Sequence, residues 1–385
     1  MRLSRYVQVA LVGATLVALG AVPRVFIHTL PEWLRPFIWS DAVETYVDAG
    51  LRGHRLPYFD VAFAYPPVVG YIAGALSVAS PDVRVFTAGW GLILAGAAAV
   101  VAYLLSREAG PARTLRFWSL APQLLLLGSL NFDVLPAGCL AAAALLERRL
   151  RYLHSMVLLA AGTASKLFPA VGAPLLVLGL VRAGSWTRAV AAAATFGAVL
   201  AALYLPSLLA TRTSAGFVAT YAYGVRPNID SPWGLLYGAL MGVGLGVPDA
   251  RLVILVVTIA GFAATYLVSV IPRALRAADP VIGLGLAVTT LMLWSRLYSP
   301  QYSLWVLPFF VLLPLRTRTF ALLTLGDVLV FMTVYPLGLT PPGTLSPIEL
   351  VLATLAVGVV IRHLALFLAW REMTRLAEAP LGSSG

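Results

Sequence analysis

Apolar runs approaching 20 residues recur along this chain, separated by short turns that carry arginine or proline. An apolar run of that length crosses a bilayer core as a helix. Twelve stretches qualify: 6–27, 84–105, 114–128, 132–147, 153–165, 167–182, 187–209, 251–272, 279–295, 299–315, 319–336 and 347–370. Several are short, which calls for tilting or a local break. Two further apolar pieces, 65–79 and 233–247, contain Pro or Gly and follow long polar connections, so they read as half-inserted or surface-lying helices. The pattern predicts an all-α polytopic membrane protein with about 12 transmembrane helices in a single domain over 1–380. The first stretch is long for a signal-peptide core, so it reads as an uncleaved anchor. Residues 381–385, Leu-Gly-Ser-Ser-Gly, read as a tag remnant.

Composition sharpens this picture. Of 385 residues, 60% are hydrophobic and only 11% charged, against about 25% charged in soluble domains. That deficit excludes a soluble enzyme, a disordered regulator and a free nucleic-acid-binding domain. The net charge of +11 comes from cations in short turns, as the positive-inside rule requires. Arg2 and Arg5; Arg107, Arg113 and Arg116; Arg148, Arg149 and Arg151; Arg182 and Arg188; Arg273 and Arg276; Arg316 and Arg318; and Arg371 and Arg375 all fall on one side of a twelve-span layout. That side is expected to be the cytoplasm of a bacterial plasma membrane, with both termini on it. The one cysteine, Cys139, cannot form an internal disulfide and lies in an apolar run.

The opposite side holds two long connections, 28–83 and 210–250, and tight turns at 129–131, 165–168 and 296–300. They carry Asp41, Glu44, Asp48, Asp60, Asn131, Asp133, Lys166, Arg226, Asn228, Asp230, Arg296 and Gln301. Ionisable groups at membrane depth are rarely idle, so this face is expected to form one polar cavity open to the outside. The densest stretch, Ser40 to Gly50, places Asp41, Glu44 or Thr45, and Asp48 on one helical face, with Val43, Tyr46 and Val47 elsewhere. It predicts a short amphipathic helix ended by Gly50 and Gly53.

Each singled-out residue has a structural reading beside the chemical one. Asp41 suits an N-cap with Glu44 at N3, and equally a general base. Asp133 suits a helix start. Lys166, the one lysine, suits a snorkelling cation or a phosphate partner. Arg226 suits a clasp with Asp230, Arg296 a snorkelling cation, and either one a phosphate ligand. Asp327, within an apolar span, suits a buried pair with His363 or a transport role. The sequence contains no phosphate-binding Gly loop, no CxxC, no HExxH, and no DxD or ExD pair in the first outer loop.

The order of motifs resembles the GT-C superfamily of membrane glycosyltransferases. The likeness rests on Asp41, Tyr46, Asp48-Ala49, Gly53, Pro57-Tyr58 and Tyr65-Pro66-Pro67 in the first loop. Asn131-Phe132-Asp133-Val134-Leu135-Pro136, Lys166-Leu167-Phe168-Pro169 and Ser299-Pro300-Gln301-Tyr302 through Trp305 and Pro308 follow in the family's order. Within the superfamily the chain is most like the family 87 polyprenyl-phosphate-mannose mannosyltransferases of actinobacteria, with a more distant likeness to the eukaryotic GPI first-mannose transferase. The motifs cover about two-thirds of the chain.

The resemblance implies a GT-C fold and transfer of a sugar, mannose by family likeness, from a polyprenyl-phosphate donor to a glycolipid or glycan acceptor. It implies no nucleotide, no cofactor and no metal, with Asp41 as base. The family pattern is broken at one point: no second acid directly follows Asp41. On this reading Lys166, Arg226 and Arg296 hold the donor phosphate. Glu44, Asp48, Tyr46, Tyr58, Tyr65, Asn131, Asp133, Asp230, Trp233, Gln301 and Tyr302 contact sugar or acceptor. The partners are membrane lipids and lipid-linked substrates, and no nucleic acid. The rival class is a multi-span lipid or solute transporter, but no paired half-molecule repeat is visible. A third reading is a non-catalytic assembly protein of the envelope.

Overall fold

The computed structural model describes residues 3–210, 226–339 and 348–379. Residues 211–225 of the second long connection, which include Tyr223 to Val225, and the tail 381–385 lie outside the described residues. The described chain is helical, with no named strand and one isolated bridge between Pro57 and Val61. It divides into two compact units, Met1–Val225 and Arg226–Gly385, where the hydropathy alone suggests a single membrane domain.

In the first unit the helices are α1 (Arg5–Val25), α2 (Asp41–Asp48), α3 (Pro67–Ala79), α4 (Val83–Ala109), α5 (Pro111–Thr114), α6 (Pro122–Leu127), α7 (Val134–Arg148), α8 (Tyr152–Thr163), α9 (Ala173–Arg182) and α10 (Trp186–Leu209). The apolar stretch at 114–128 is not one helix. A π turn at Leu115–Ser119 and a restart at Pro122 interrupt it. Ser119 Oγ donates to the Val9 carbonyl at 2.9 Å, and Trp118 Nε1 to the Ala98 carbonyl at 3.2 Å. The irregular turn thereby keeps its side chains satisfied among the helices it touches. α1 packs along α4 and against α6. At the α6 crossing a Cβ on Gly20 would run into the Leu125 carbonyl, so only glycine permits that approach.

The second unit holds α11 (Pro232–Gly242), α12 (Val247–Thr265), α13 (Ile271–Ala274), α14 (Pro280–Trp294), α15 (Leu307–Leu312), α16 (Thr317–Leu339) and α17 (Ile348–Glu378). α14 is buried along nearly its whole length. The stretch at 299–315 is broken into a 3-10 turn, Pro300–Trp305, and the short α15. Gly326 and Gly358 let α16 and α17 pack closely; a Cβ on Gly326 would press on the Arg362 backbone.

Each of the twelve apolar stretches falls on a helix or on helical pieces. Among the described residues, six helices are long and apolar enough to cross a membrane: Arg5–Val25, Val83–Ala109, Trp186–Leu209, Val247–Ala274, Thr317–Gly338 and Ile348–Glu378. The others are shorter because proline and glycine interrupt the apolar runs. Large apolar side chains on the long helices, among them Leu92, Val100, Leu209, Val268 and Val360, stand exposed. Such contiguous apolar exteriors suit lipid rather than water. The protein is therefore a helical membrane protein.

The cationic turns gather at helix ends within each unit. In the first, Arg148 and Arg149 reach the two oxygens of Glu108 at 3.2 and 3.1 Å. In the second, Arg273 pairs with Glu378 at 2.9 Å, and Glu372 accepts from the Arg316 backbone and the Thr319 hydroxyl.

Candidate functional site

In the first unit the polar chemistry centres on the start of α2. Ser40, not Asp41, is the N-cap: its hydroxyl accepts from the Val43 amide at 3.3 Å. That corrects the capping box expected between Asp41 and Glu44, because a Ser oxygen already serves the first turn. Asp41 stands one position inside the helix, half-buried, and its carboxylate turns elsewhere. Oδ1 accepts from the Trp39 indole at 2.6 Å and Oδ2 from the Asn131 amide at 2.5 Å. The Asp41 backbone amide donates to the Leu130 carbonyl at 3.0 Å, which fixes α2 to the turn before α7.

The next side chains on that turn complete the cluster. Lys166 Nζ bonds both oxygens of Asp133 at 2.8 and 2.9 Å. It also lies 4.9 Å above the Phe132 ring. Phe132 takes edge contacts from Tyr65 and Trp90 at 5.0 and 6.3 Å. A narrow crevice between Asp41, Thr45, Tyr65, Trp90 and Asn131 sits beside a groove of about 330 Å³ edged by Glu44, Asp48, Phe63 and Tyr65.

The electrostatics favour a basic carboxylate. Burial raises the Asp41 pKa; the hydrogen bonds from Trp39 and Asn131 and the charge of Lys166 oppose the rise, and Asp133 adds to it. Glu44 is pushed up to about 7, first by loss of water and then by the Asp41 and Asp48 charges. A carboxylate with a raised pKa is a stronger proton acceptor once ionised.

Other residues expected to meet sugar sit differently. Tyr58 is buried, adopts φ +69° and donates to the Tyr65 carbonyl at 2.5 Å. Burial raises its pKa. Its ring packs edge-on against Phe63 and Tyr71, so it shapes the loop from within. Tyr46 is fully buried, and its hydroxyl donates to the Pro81 carbonyl. Tyr65 alone of the three is partly exposed and lines the groove.

The second unit has its own polar core. Asp230 does not clasp Arg226, which is exposed. It meets Arg362 of α17 instead: the guanidinium donates to the Asp230 carbonyl and lies 3.8 Å from its carboxylate. Arg362 is fully buried with its guanidinium 4.0 Å from the centre of the Tyr298 ring. Burial pushes Asp230 up to about 6, against the pull of Arg362. Tyr298 and Ser303 share a 2.8 Å hydrogen bond, and Ser303 donates to Asp327 at 2.6 Å. Asp327 is therefore tied to Ser303 and not to His363, whose Nδ1 meets the Val359 carbonyl of its own helix. Asn228 orders the turn at 296–299 through the Tyr298 carbonyl and the Ser299 hydroxyl.

Trp233 stacks on Trp294 at 5.3 Å and donates to the Leu293 carbonyl. Trp233 thus gives one face to packing and stays partly exposed. Gln301 is buried, and Tyr302 stacks on Trp305 at 4.0 Å. Arg296 is partly buried, and burial together with Arg251 lowers its pKa.

Arg24 escaped the sequence reading. It ends α1, is buried, and donates to the Trp39, Gly20 and Leu126 carbonyls and to the Ser129 hydroxyl at 2.6–2.9 Å. It anchors the segment that carries Trp39 and hence Asp41. Trp39 escaped too. Among the described residues no group of three or more His, Cys, Asp or Glu is placed to hold a metal ion. No protein-family model matches this chain, and no characterised protein matches it in sequence.

Proposed function

We propose that this protein is an integral-membrane glycosyltransferase of GT-C type. It moves a sugar, mannose by the family likeness, from a polyprenyl-phosphate donor to an acceptor hydroxyl on the extracytoplasmic face of a bacterial plasma membrane. In this reading the chain crosses the bilayer about twelve times, with both termini cytoplasmic. The observation that carries it is the setting of Asp41. A half-buried carboxylate of raised pKa is fixed by Trp39 and Asn131 beside a groove lined by acids and an aromatic ring.

Asp41 takes the proton from the attacking acceptor hydroxyl. The oxygen then forms its bond to the anomeric carbon on the face opposite the lipid phosphate, and the carbon–oxygen bond to phosphate breaks. One displacement inverts the configuration. Glu44, Asp48 and Tyr65 lie along the groove where the acceptor's hydroxyls and ring face would rest. Lys166 brings positive charge near the reacting centre, held by Asp133, to steady the departing phosphate.

The buried charges of α16 and α17 give the transporter reading its one supporting observation, since Asp327 and Arg362 stand inside long apolar helices. Both are tied to neighbours, Ser303 and Tyr298, as structural groups are.

The deciding experiment supplies purified protein with a short-chain polyprenyl-phosphate-mannose and a panel of glycolipid acceptors, with and without chelator. Transfer that persists in chelator and is lost in Asp41→Asn supports the proposal. A folded protein with no transfer from mannose, arabinose or glucose donors overturns it and turns attention to flux measurements on Asp327 variants.

A further inference from the structure

The first unit has a second cavity, at the other end of α7 from Asn131 and Asp133. α7 has 15 residues, so the two ends lie about 22 Å apart. The cleft holds about 390 Å³ between the last turns of α4 and α7. Leu104, Leu145 and Leu146 form its apolar walls, and Tyr103, Arg107 and Arg149 stand around them. On α4 the lining residues are 103, 104 and 107; on α7 they are 142, 145 and 146, with 149 just past its end, so one continuous stripe of each helix faces the cleft.

Cations outnumber acids around the cleft. Arg107 is exposed and donates to the Tyr103 hydroxyl at 3.1 Å. Its guanidinium also lies 5.7 Å from the Tyr6 ring. Arg148 and Arg149 both reach the carboxylate of Glu108. Counting Glu147 as well, these five charged side chains leave a net +1, and Arg113, Arg116 and Arg151 in the adjoining turns raise it to +4. Apolar walls do not suit a free phosphate or a nucleic acid, which would meet no matching surface inside. An anionic glycerophospholipid satisfies both halves: acyl carbons along Leu104, Leu145 and Leu146, and a phosphodiester against Arg107, Arg149 and the Tyr103 hydroxyl. Basic pockets between membrane helices bind anionic head groups in this way.

We propose that this cleft is a binding site for an anionic glycerophospholipid, distinct from the Asp41 groove. The inference does not depend on the reaction proposed for Asp41, because it is read by binding alone.

The test is native mass spectrometry of the full chain in neutral detergent, titrated with phosphatidylglycerol or with phosphatidylcholine of the same acyl chains. The expected result is at least tenfold tighter binding of phosphatidylglycerol, unaffected by millimolar inorganic phosphate. Arg107→Gln with Arg149→Gln should weaken it about tenfold. Leu146→Trp fills the cleft without changing charge and should weaken it as well, whereas Arg316→Gln in the second unit should not. Equal binding of the two lipids, competition by inorganic phosphate, or wild-type affinity in Leu146→Trp overturns the proposal. If the arginine double variant melts early, Leu146→Trp decides alone.

Discussion

Asp41 and Asn131 stand 90 residues apart in the chain and are joined by a 2.5 Å hydrogen bond from the Asn131 amide to Asp41 Oδ2. The bond favours the ionised carboxylate, so it opposes the rise that burial imposes. Asn131→Leu should therefore raise the Asp41 pKa further. The base works only when deprotonated, so the ascending limb of the transfer rate against pH should move to higher pH. At a fixed pH on that limb the rate should fall about 10- to 100-fold, matching the roughly 1.5–3 kcal/mol of a hydrogen bond to a charged group. A pH–rate profile of the variant that overlays the wild type would refute the assignment.

Lys166 and Asp133 form a buried ion pair, with the Asp133 side chain wholly enclosed. Removing one partner of such a pair leaves a charge without compensation and costs about 3–5 kcal/mol. Lys166→Met should lower stability at the low end of that range, because the lysine keeps some contact with solvent. Lys166→Met combined with Asp133→Leu should recover much of the loss. Thermal unfolding of the two variants in detergent reads the pair's structural role: recovered stability in the double variant shows that the loss in Lys166→Met comes from the uncompensated Asp133 charge.

Glu44 gives a titration that can be followed directly. Its pKa of about 7 comes from lost hydration and from Asp41 and Asp48. Asp41→Asn removes one of those charges, so Glu44 should titrate lower, as read by carboxyl carbon NMR. The sign for stability follows from linkage. A raised folded-state pKa means that the folded protein holds the proton longer than the unfolded chain. Stability is then lost as pH climbs from the ordinary value of 4.5 through about 7. Glu44→Gln should gain on the wild type across that window and hold a constant difference above it.

Much of this architecture is written in local pattern. The apolar runs locate the helices because a span needs only hydrophobic length. α2 was legible because its eight residues alternate buried and exposed positions at helical spacing, and Gly50 and Gly53 after it adopt φ +68° and +79°. The breaks at 115–121 and around Val306 were not, since a π turn and a 3-10 turn depend on tertiary partners such as Val9 and Ala98. Nor did the sequence pair Lys166 with Asp133, 33 residues away, because each has an adequate local explanation. The tyrosines misled for a related reason: Tyr46 and Tyr58 look like interface rings, yet their hydroxyls find backbone carbonyls inside the first unit. Arg24 and Arg362 carried a usable signal. Both lie at the edge or in the middle of an apolar run, away from the cationic turns, and an arginine so placed needs a buried set of acceptors or a ring.

Arg24 supplies the last test. Its guanidinium holds three carbonyls and a hydroxyl drawn from Gly20, Trp39, Leu126 and Ser129, so it joins α1, the approach to α2, the end of α6 and the turn after it. The planar fork reaches several acceptors at once, which an ammonium cannot reproduce. Arg24→Lys should therefore leave at least one buried carbonyl without its donor and cost about 1–3 kcal/mol, and Arg24→Met should cost more. The loss falls on the Trp39 side chain's own backbone, two residues from Asp41. Limited chymotrypsin digestion reads this directly: cleavage after Trp39, which Ser40 follows, should accelerate in Arg24→Lys before the rest of the chain opens. Cleavage at the wild-type rate, with an unchanged melting temperature, would show that the Trp39–Asp41 segment is held by α2 and Leu130 without Arg24.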